Sequence, residues 1–249
     1  MIDNTAFKKE LEERVKEINA GIAGYLPEEK GCQKTIFEAM NYSMNAGGKR
    51  LRPLLMQEVC RLFTGEVSEI VKPFMAAIEM IHTSSLVHDD LPCMDDDMIR
   101  RGKASTWAEY GEDIGVLAGD ALMMYAFETA SKAFDAAEDA DALLRAGKAM
   151  GILAAKTGVY GMIGGQTVDV ELAGGPVPKD KLDFIYRLKT GALLQAAMLI
   201  GAVLGGAADE DCKIVEDLAG KVGLAFQIQD DILDVTGDAS VTGKAAGSD

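Results

Sequence analysis

Residues 72–97 read KPFMAAIEMIHTSSLVHDDLPCMDDD. The first seventeen of these, 72–88, are apolar and nearly free of charge, and a helix with so little polar surface is buried on most sides. The run then closes on acid: Asp89, Asp90, and after Pro92 the triplet Asp95, Asp96 and Asp97. Acidic clusters are usually solvated faces. This one continues a core helix, so its carboxylates emerge at the end of a core. A second stretch repeats the arrangement. Gln227-Ile228-Gln229-Asp230-Asp231-Ile232-Leu233-Asp234 sits on another apolar helical run.

Working outward, the pattern is helical almost everywhere. Residues 6–20 place Phe7, Leu11, Val15 and Ile18 at spacings of three and four. Residues 34–44 repeat it, and Pro53 opens the next run in the first turn, where proline is tolerated. Further helical stretches are expected over 115–134, 141–163, 179–207 and 209–235. No alternating strand or hairpin signal is visible. No glycine- or proline-rich connection is long enough to be a domain linker. The expectation is one all-α domain over residues 1–249. Gly191–Ala208 is the most apolar stretch; it is interrupted by Gln195 and shorter than the roughly 20 apolar residues of a membrane span, so a buried core helix is expected.

Composition narrows the function. Among 249 residues, 40 Asp and Glu outweigh 25 Lys and Arg, a formal charge of −15, which argues against a general nucleic-acid binder. Cys32, Cys60, Cys93 and Cys212 form no C-x-x-C pair, which fits a reducing, cytoplasmic setting. The N-terminal MIDNTAFKKELEERVKEI is a charged amphipathic segment without the apolar core of a signal peptide.

The acidic clusters point to a hard cation. On a helix Asp230 and Asp234 are about 40° apart, and like charges on one face are tolerable with a cation between them. Oxygen ligands favour Mg²⁺ or Ca²⁺ over zinc, and Mg²⁺ takes one or two carboxylates plus phosphate oxygens. Asp89 and Asp95 would be about 120° apart on a regular helix. Pro92 breaks the regularity and could swing Asp95 back beside Asp89.

Cations alternate with the acids. Gly47-Gly48-Lys49-Arg50-Leu51-Arg52-Pro53 is a glycine turn with three cations in four residues; Arg100-Arg101 follows the first acidic cluster; Lys189-Thr190-Gly191 lies in an apolar helix; Lys244 follows the second cluster. Each alone reads as a surface group or a salt bridge. Together they suit a site that shares phosphate oxygens between metal and guanidinium or ammonium groups. A P-loop is absent. His82 lies two turns before Asp89 on the same face and is equally readable as a core histidine or a ligand contact, and His88 as a local partner of the acids.

These motifs together resemble the trans-isoprenyl diphosphate synthases, the farnesyl and geranylgeranyl diphosphate synthase family. The resemblance runs from about Phe37 to Asp249 and rests on GGKRLRP at 47–53, IHTSSLVHDDLPCMDDDMIRRG at 81–102, LAGDAL at 117–122, GGQTVD at 164–169, KTG at 189–191, GLAFQIQDDILD at 223–234 and GK at 243–244. It implies the isoprenoid synthase fold, mostly antiparallel helices around a deep central cavity, in a homodimer. It further implies a condensation of isopentenyl diphosphate with an allylic diphosphate, assisted by three Mg²⁺ ions. By family position Asp89 and Asp95 hold two ions and Asp230 helps hold the third, with Asp90, Asp96, Asp231 and Asp234 in support. Arg100, Lys189 and Lys244 contact the allylic diphosphate with Gln227 nearby, and Thr190 and Gln166 lie near the allylic cation. Lys49, Arg52, His82 and Arg101 bind isopentenyl diphosphate. The pocket for the growing chain is expected beside Ser84 and Ser85. An aromatic residue at the position of Ser84 typically stops growth at fifteen carbons, so a small serine there favours the twenty-carbon geranylgeranyl product over farnesyl. Family members continue for further helices past the position of Asp249, so an incomplete chain is expected.

Two other readings are weaker. A terpene cyclase shares the first aspartate motif but lacks the GGKR turn and the second Asp-rich motif. A non-catalytic subunit typically loses one aspartate motif.

Overall fold

The computed structural model describes residues 4–236, without the side chains of 230–231 and 233–236. The order of elements is α1 (Asn4–Ala23), α2 (Lys34–Met44), α3 (Leu51–Thr64), α4 (Val71–Asp89), strands β1 (Ile99–Arg100) and β2 (Lys103–Ala104), α5 (Thr106–Tyr110), α6 (Glu112–Asp135), α7 (Ala140–Thr157), α8 (Met162–Leu172), α9 (Lys179–Ile185), a π-turn (Tyr186–Thr190), α10 (Gly191–Leu204) and α11 (Asp209–Thr236). The fold is all-α, as expected.

Two helices carry the core. α4 is buried along most of its length, and α6 lies against it through the small residues Gly115, Ala118, Gly119 and Ala126, with Leu122 among them. Small side chains let the axes approach closely and leave few voids. α10 is the other centre: every position except Gln195 is buried, against α3, α7 and α11. The run Lys179–Leu204 is long and apolar enough to cross a membrane by length and composition, and its α10 part has its apolar surface covered by protein. Gln195, the polar interruption, accepts a hydrogen bond from Lys156 Nζ at 2.8 Å.

Three expectations are corrected. The helical stretch 141–163 is two helices, α7 and α8, because the chain turns between Thr157 and Met162 around Gly158 and Gly161. The stretch 179–207 is not one regular helix: five residues ending at Thr190 follow π geometry, with the backbone N–H of Gly191 donating to the carbonyl of Tyr186. The strand-free reading missed a two-stranded hairpin that pairs Ile99 with Ala104 and Arg100 with Lys103. Two-residue strands are too short to show alternation. The readable signal was the turn itself, Arg101-Gly102, both at positive φ (54° and 77°), the primed type of hairpin connection.

Candidate active site

A cavity of about 1110 Å³ opens between α4, α6, α8, the π-turn, α10 and α11. That is the upper end of the range for small-molecule sites. Its mouth is charged, with Asp89, Lys49, Arg52, Arg100, Arg101 and Lys189. Its interior is apolar, with Met123, Met162, Leu193 and Phe226.

Asp89 is the last residue of α4, and the chain beyond it folds back. The N–H of Asp95 donates to the carbonyl of Asp89 at 2.9 Å, and that of Asp97 to the carbonyl of Asp90 at 3.1 Å. Pro92 ends the helix as expected and the loop returns Asp95 to Asp89. Burial pushes the Asp89 carboxyl up to about 6 from 3.8; the charges of Asp95 and Asp90 push the same way, while Lys189 and Arg100 oppose. Asp95 is exposed at the rim and does not line the cavity. Asp90, 2% exposed, faces away from it and holds Arg100, whose Nε donates to Asp90 Oδ1 at 2.8 Å. Burial disfavours the charged Arg100 side chain, but the bond to Asp90 together with the charges of Asp90, Asp97 and Asp89 outweighs it and raises its pKa.

The two adjacent arginines diverge because the hairpin turn separates them. Arg100, on β1, reaches Asp90. Arg101, at the turn, reaches back to donate to the carbonyl of Gly47. Its guanidinium lies over Gly48, where a Cβ would come within 2.8 Å of Nη1 and where φ is +136°. The positive φ is what calls for glycine there, since the guanidinium could shift aside. Arg52 also lines the mouth, and its buried Nε has no hydrogen-bond partner among the described residues. Burial, and after it the charges of Arg52, Arg101, Arg50 and Arg100, push His82 well below its usual 6.5, so the imidazole is neutral at pH 7. Arg52 with its unpaired Nε, the neutral His82 and the gathered cations form a site suited to an anion.

Arg50, the middle cation of the turn, is not part of that mouth. It sits at positive φ (48°) and points into the core. Its guanidinium donates to Glu79 Oε1 at 2.7 Å, to Asn19 Oδ1 at 2.7 Å and to the Met44 carbonyl at 2.6 Å. Sequence reasoning missed this division of the basic turn, and the nearly lone carboxylate of α4, Glu79, was the available signal.

On the opposite wall, α8 touches both charge systems. Gln166 Nε2 donates to Asp89 Oδ1 at 2.7 Å, and Asp169 Oδ2 accepts from Lys189 Nζ at 2.5 Å. Thr190 Oγ1 donates to Gln227 Oε1 at 2.6 Å, linking the π-turn to α11. The backbone of α11 carries Asp230 and Asp231, whose side chains lie outside the described residues, as does Lys244.

A family model for polyprenyl synthetases matches residues 33–249. The chain belongs to the polyprenyl synthetase family. It is 46% identical over 217 residues to the heterodimeric geranylgeranyl pyrophosphate synthase large subunit 1 of Arabidopsis thaliana, covering 86% of this chain and 58% of that protein. It is 40% identical over 239 residues to the farnesyl diphosphate synthase of Geobacillus stearothermophilus, covering 96% of this chain and 79% of that one. Thus the chain spans less than two thirds of several plant relatives it matches. The crystal structure of a farnesyl/geranylfarnesyl diphosphate synthase from Zymomonas mobilis superposes with a TM-score of 0.84 at 36% identity, covering 92% of this chain and 82% of that one.

For a polyprenyl synthetase the donor set at the mouth fits Mg²⁺. Asp89 is a half-buried carboxylate with a second, Asp95, close enough to raise its pKa, and a cation would relieve that repulsion. Among the described residues no three His, Cys, Asp or Glu side chains converge on one point, so Asp89 and Asp95 would hold Mg²⁺ only together with phosphate oxygens.

The chain-pocket expectation is corrected at one residue. Ser85 lines the cavity and donates to the His82 carbonyl at 2.9 Å. Ser84 does not line it. It is fully buried against α6, with its hydroxyl donating to the Gly119 carbonyl at 2.8 Å. Ser85 is four residues before Asp89, about 40° around the helix, whereas Ser84 is about 140° away.

Proposed function

We propose that this polyprenyl synthetase is a prenyltransferase that condenses isopentenyl diphosphate with dimethylallyl, geranyl or farnesyl diphosphate, and that geranylgeranyl diphosphate is its product. The observation that carries the reading is a charged mouth, Asp89 on one side and Lys49, Arg52, Arg100, Arg101 and Lys189 gathered round it, above an apolar cavity.

Asp89 and Asp95, with Asp230, would hold Mg²⁺, which when bound neutralises the allylic diphosphate and makes it a leaving group. Lys189 and Arg100 draw that diphosphate to the aspartate side, Arg100 aimed by Asp90. Arg101, Arg52, Lys49 and the neutral His82 take the diphosphate of the second substrate. The allylic C–O bond breaks, and the isopentenyl double bond forms the new C–C bond to the allylic carbon. The proton released from the isopentenyl unit passes to the departing diphosphate. The Thr190 hydroxyl, held by Gln227, would lie near the allylic cation, and Met123, Leu193 and Phe226 would exclude water that could trap it. The chain would act as a homodimer, and the α6 face that exposes Leu117 (53%) and Met124 (69%) supports that part of the reading. Four free cysteines support a reducing, cytoplasmic compartment.

Incubating the chain with Mg²⁺, isopentenyl diphosphate and each allylic diphosphate, followed by chromatography of the products, tests the reading. No prenyl product from any pair would refute it.

Two variant sets refine it. Arg101→Ala should raise KM for isopentenyl diphosphate about tenfold or more and leave the allylic KM nearly unchanged, and Arg100→Ala should do the reverse, since each loses a charge-assisted bond to one diphosphate. Equal effects on both substrates would remove the allocation. Ser85→Phe should shorten the product to fifteen carbons. Ser84→Phe should instead lower stability by about 1–3 kcal/mol by overpacking the α4–α6 contact. A shortened product from a stable Ser84→Phe protein would reinstate Ser84 as the floor.

A further inference from the structure

Lys189 lines the cavity, and Asp169, which holds it, does not. The ammonium therefore stands between a carboxylate behind it and the substrate space in front. Its backbone is fixed as well. Gly165 on α8 lies so close to the π-turn that a Cβ there would come within 2.3 Å of Lys189 N and 2.8 Å of Leu188 C. Gln166 and Asp169 are three residues apart on one helical face, so α8 tethers Asp89 with one side chain and Lys189 with the other.

That bracket solves an electrostatic problem. Asp89 and Asp95 both attract Lys189. A lysine with its long flexible stem would otherwise settle on Asp89 and occupy the space a cation needs. Asp169 competes for the same ammonium from the far side, and Gln166 supplies Asp89 with a neutral donor in its place.

We propose that Asp169 is a positioning residue. It keeps the Lys189 ammonium off Asp89 and presents it to the allylic diphosphate, so that Asp89 stays open to Mg²⁺. Asp169 touches neither substrate. The inference rests on the prenyltransferase reading for the identity of the anion.

The test is calorimetric binding of geranyl diphosphate with Mg²⁺ to the whole chain, alongside steady-state kinetics. Asp169→Asn should weaken geranyl diphosphate binding about tenfold and raise the Mg²⁺ concentration needed for it, with KM for isopentenyl diphosphate within twofold of the original. A Lys189→Ala background separates positioning from structure: with the lysine gone, Asp169→Asn should have no further effect on binding, because the two side chains act as one unit. Additive losses in the double variant would overturn the proposal. So would unchanged binding by Asp169→Asn, or equal weakening toward both substrates. A wild-type chain that forms no prenyl product refutes the functional reading; one that does, with Asp169→Asn unaffected, refutes only this inference.

Discussion

Asp89→Asn is expected to abolish turnover and yet make the metal-free protein more stable. A ligated cation contributes several kcal/mol to the transition state, so losing its carboxylate should lower kcat about a thousandfold or more. The stability effect has the opposite sign. The Asp89 carboxyl is raised from 3.8 to about 6 in the folded protein, chiefly by burial and then by Asp95. The folded state therefore binds the proton more tightly than the unfolded one. The site is least costly at pH below 4, and stability falls as pH rises from there to about 6, after which the full penalty remains. A shift of that size corresponds to at most about 3 kcal/mol, less for a carboxyl that keeps some contact with water. Asparagine removes the penalty and retains the size. Thermal unfolding in the presence of a chelator at pH 7 should show a midpoint several degrees higher for Asp89→Asn, and the gap should close toward pH 4. A lower midpoint at pH 7, or near-normal turnover, would refute the assignment of Asp89 as a strained, cation-seeking ligand.

The second large effect lies under the basic turn. Arg50 and Glu79 are 4% and 2% exposed and bonded at 2.7 Å. Glu79→Ala should cost about 3–5 kcal/mol, because it strands a buried guanidinium. Replacing both partners by methionine should recover much of that loss, since a buried pair often does little better than apolar residues of similar volume. Denaturant midpoints would measure both. The consequence reaches the site, because Arg50 also binds Asn19 and the Met44 carbonyl and so anchors the turn that presents Lys49 and Arg52. A Glu79→Ala protein within 1 kcal/mol of the original would show that the anchor lies elsewhere.

Much of this architecture was legible in the sequence, because it depends on local order. A run of three- and four-residue apolar spacings specifies a helix wherever it packs. An acid cluster at the end of an apolar helix marks a core that opens onto charge. The returning turn at Pro92 was readable for the same reason, since a proline acts on its own backbone and that of its neighbour. The π-turn at Lys189 was not legible, because its register is set by the close approach of Gly165 from a different helix.

The sequence alone determined that the chain is helical, that two aspartate stretches end apolar helices and that cations are placed to meet them. Tertiary structure decided how neighbouring residues divide their work. Lys49 and Arg52 face the cavity while Arg50 turns to Glu79; Arg100 pairs with Asp90 while Arg101 reaches Gly47; Ser85 meets the cavity while Ser84 bonds Gly119. The physical reasons are local in form and global in outcome: Ser84 and Ser85 point about 100° apart on α4, a hairpin turn parts Arg100 from Arg101 and a left-handed backbone turns Arg50 inward, and which of those directions is core and which is cavity is settled only when the other helices have packed.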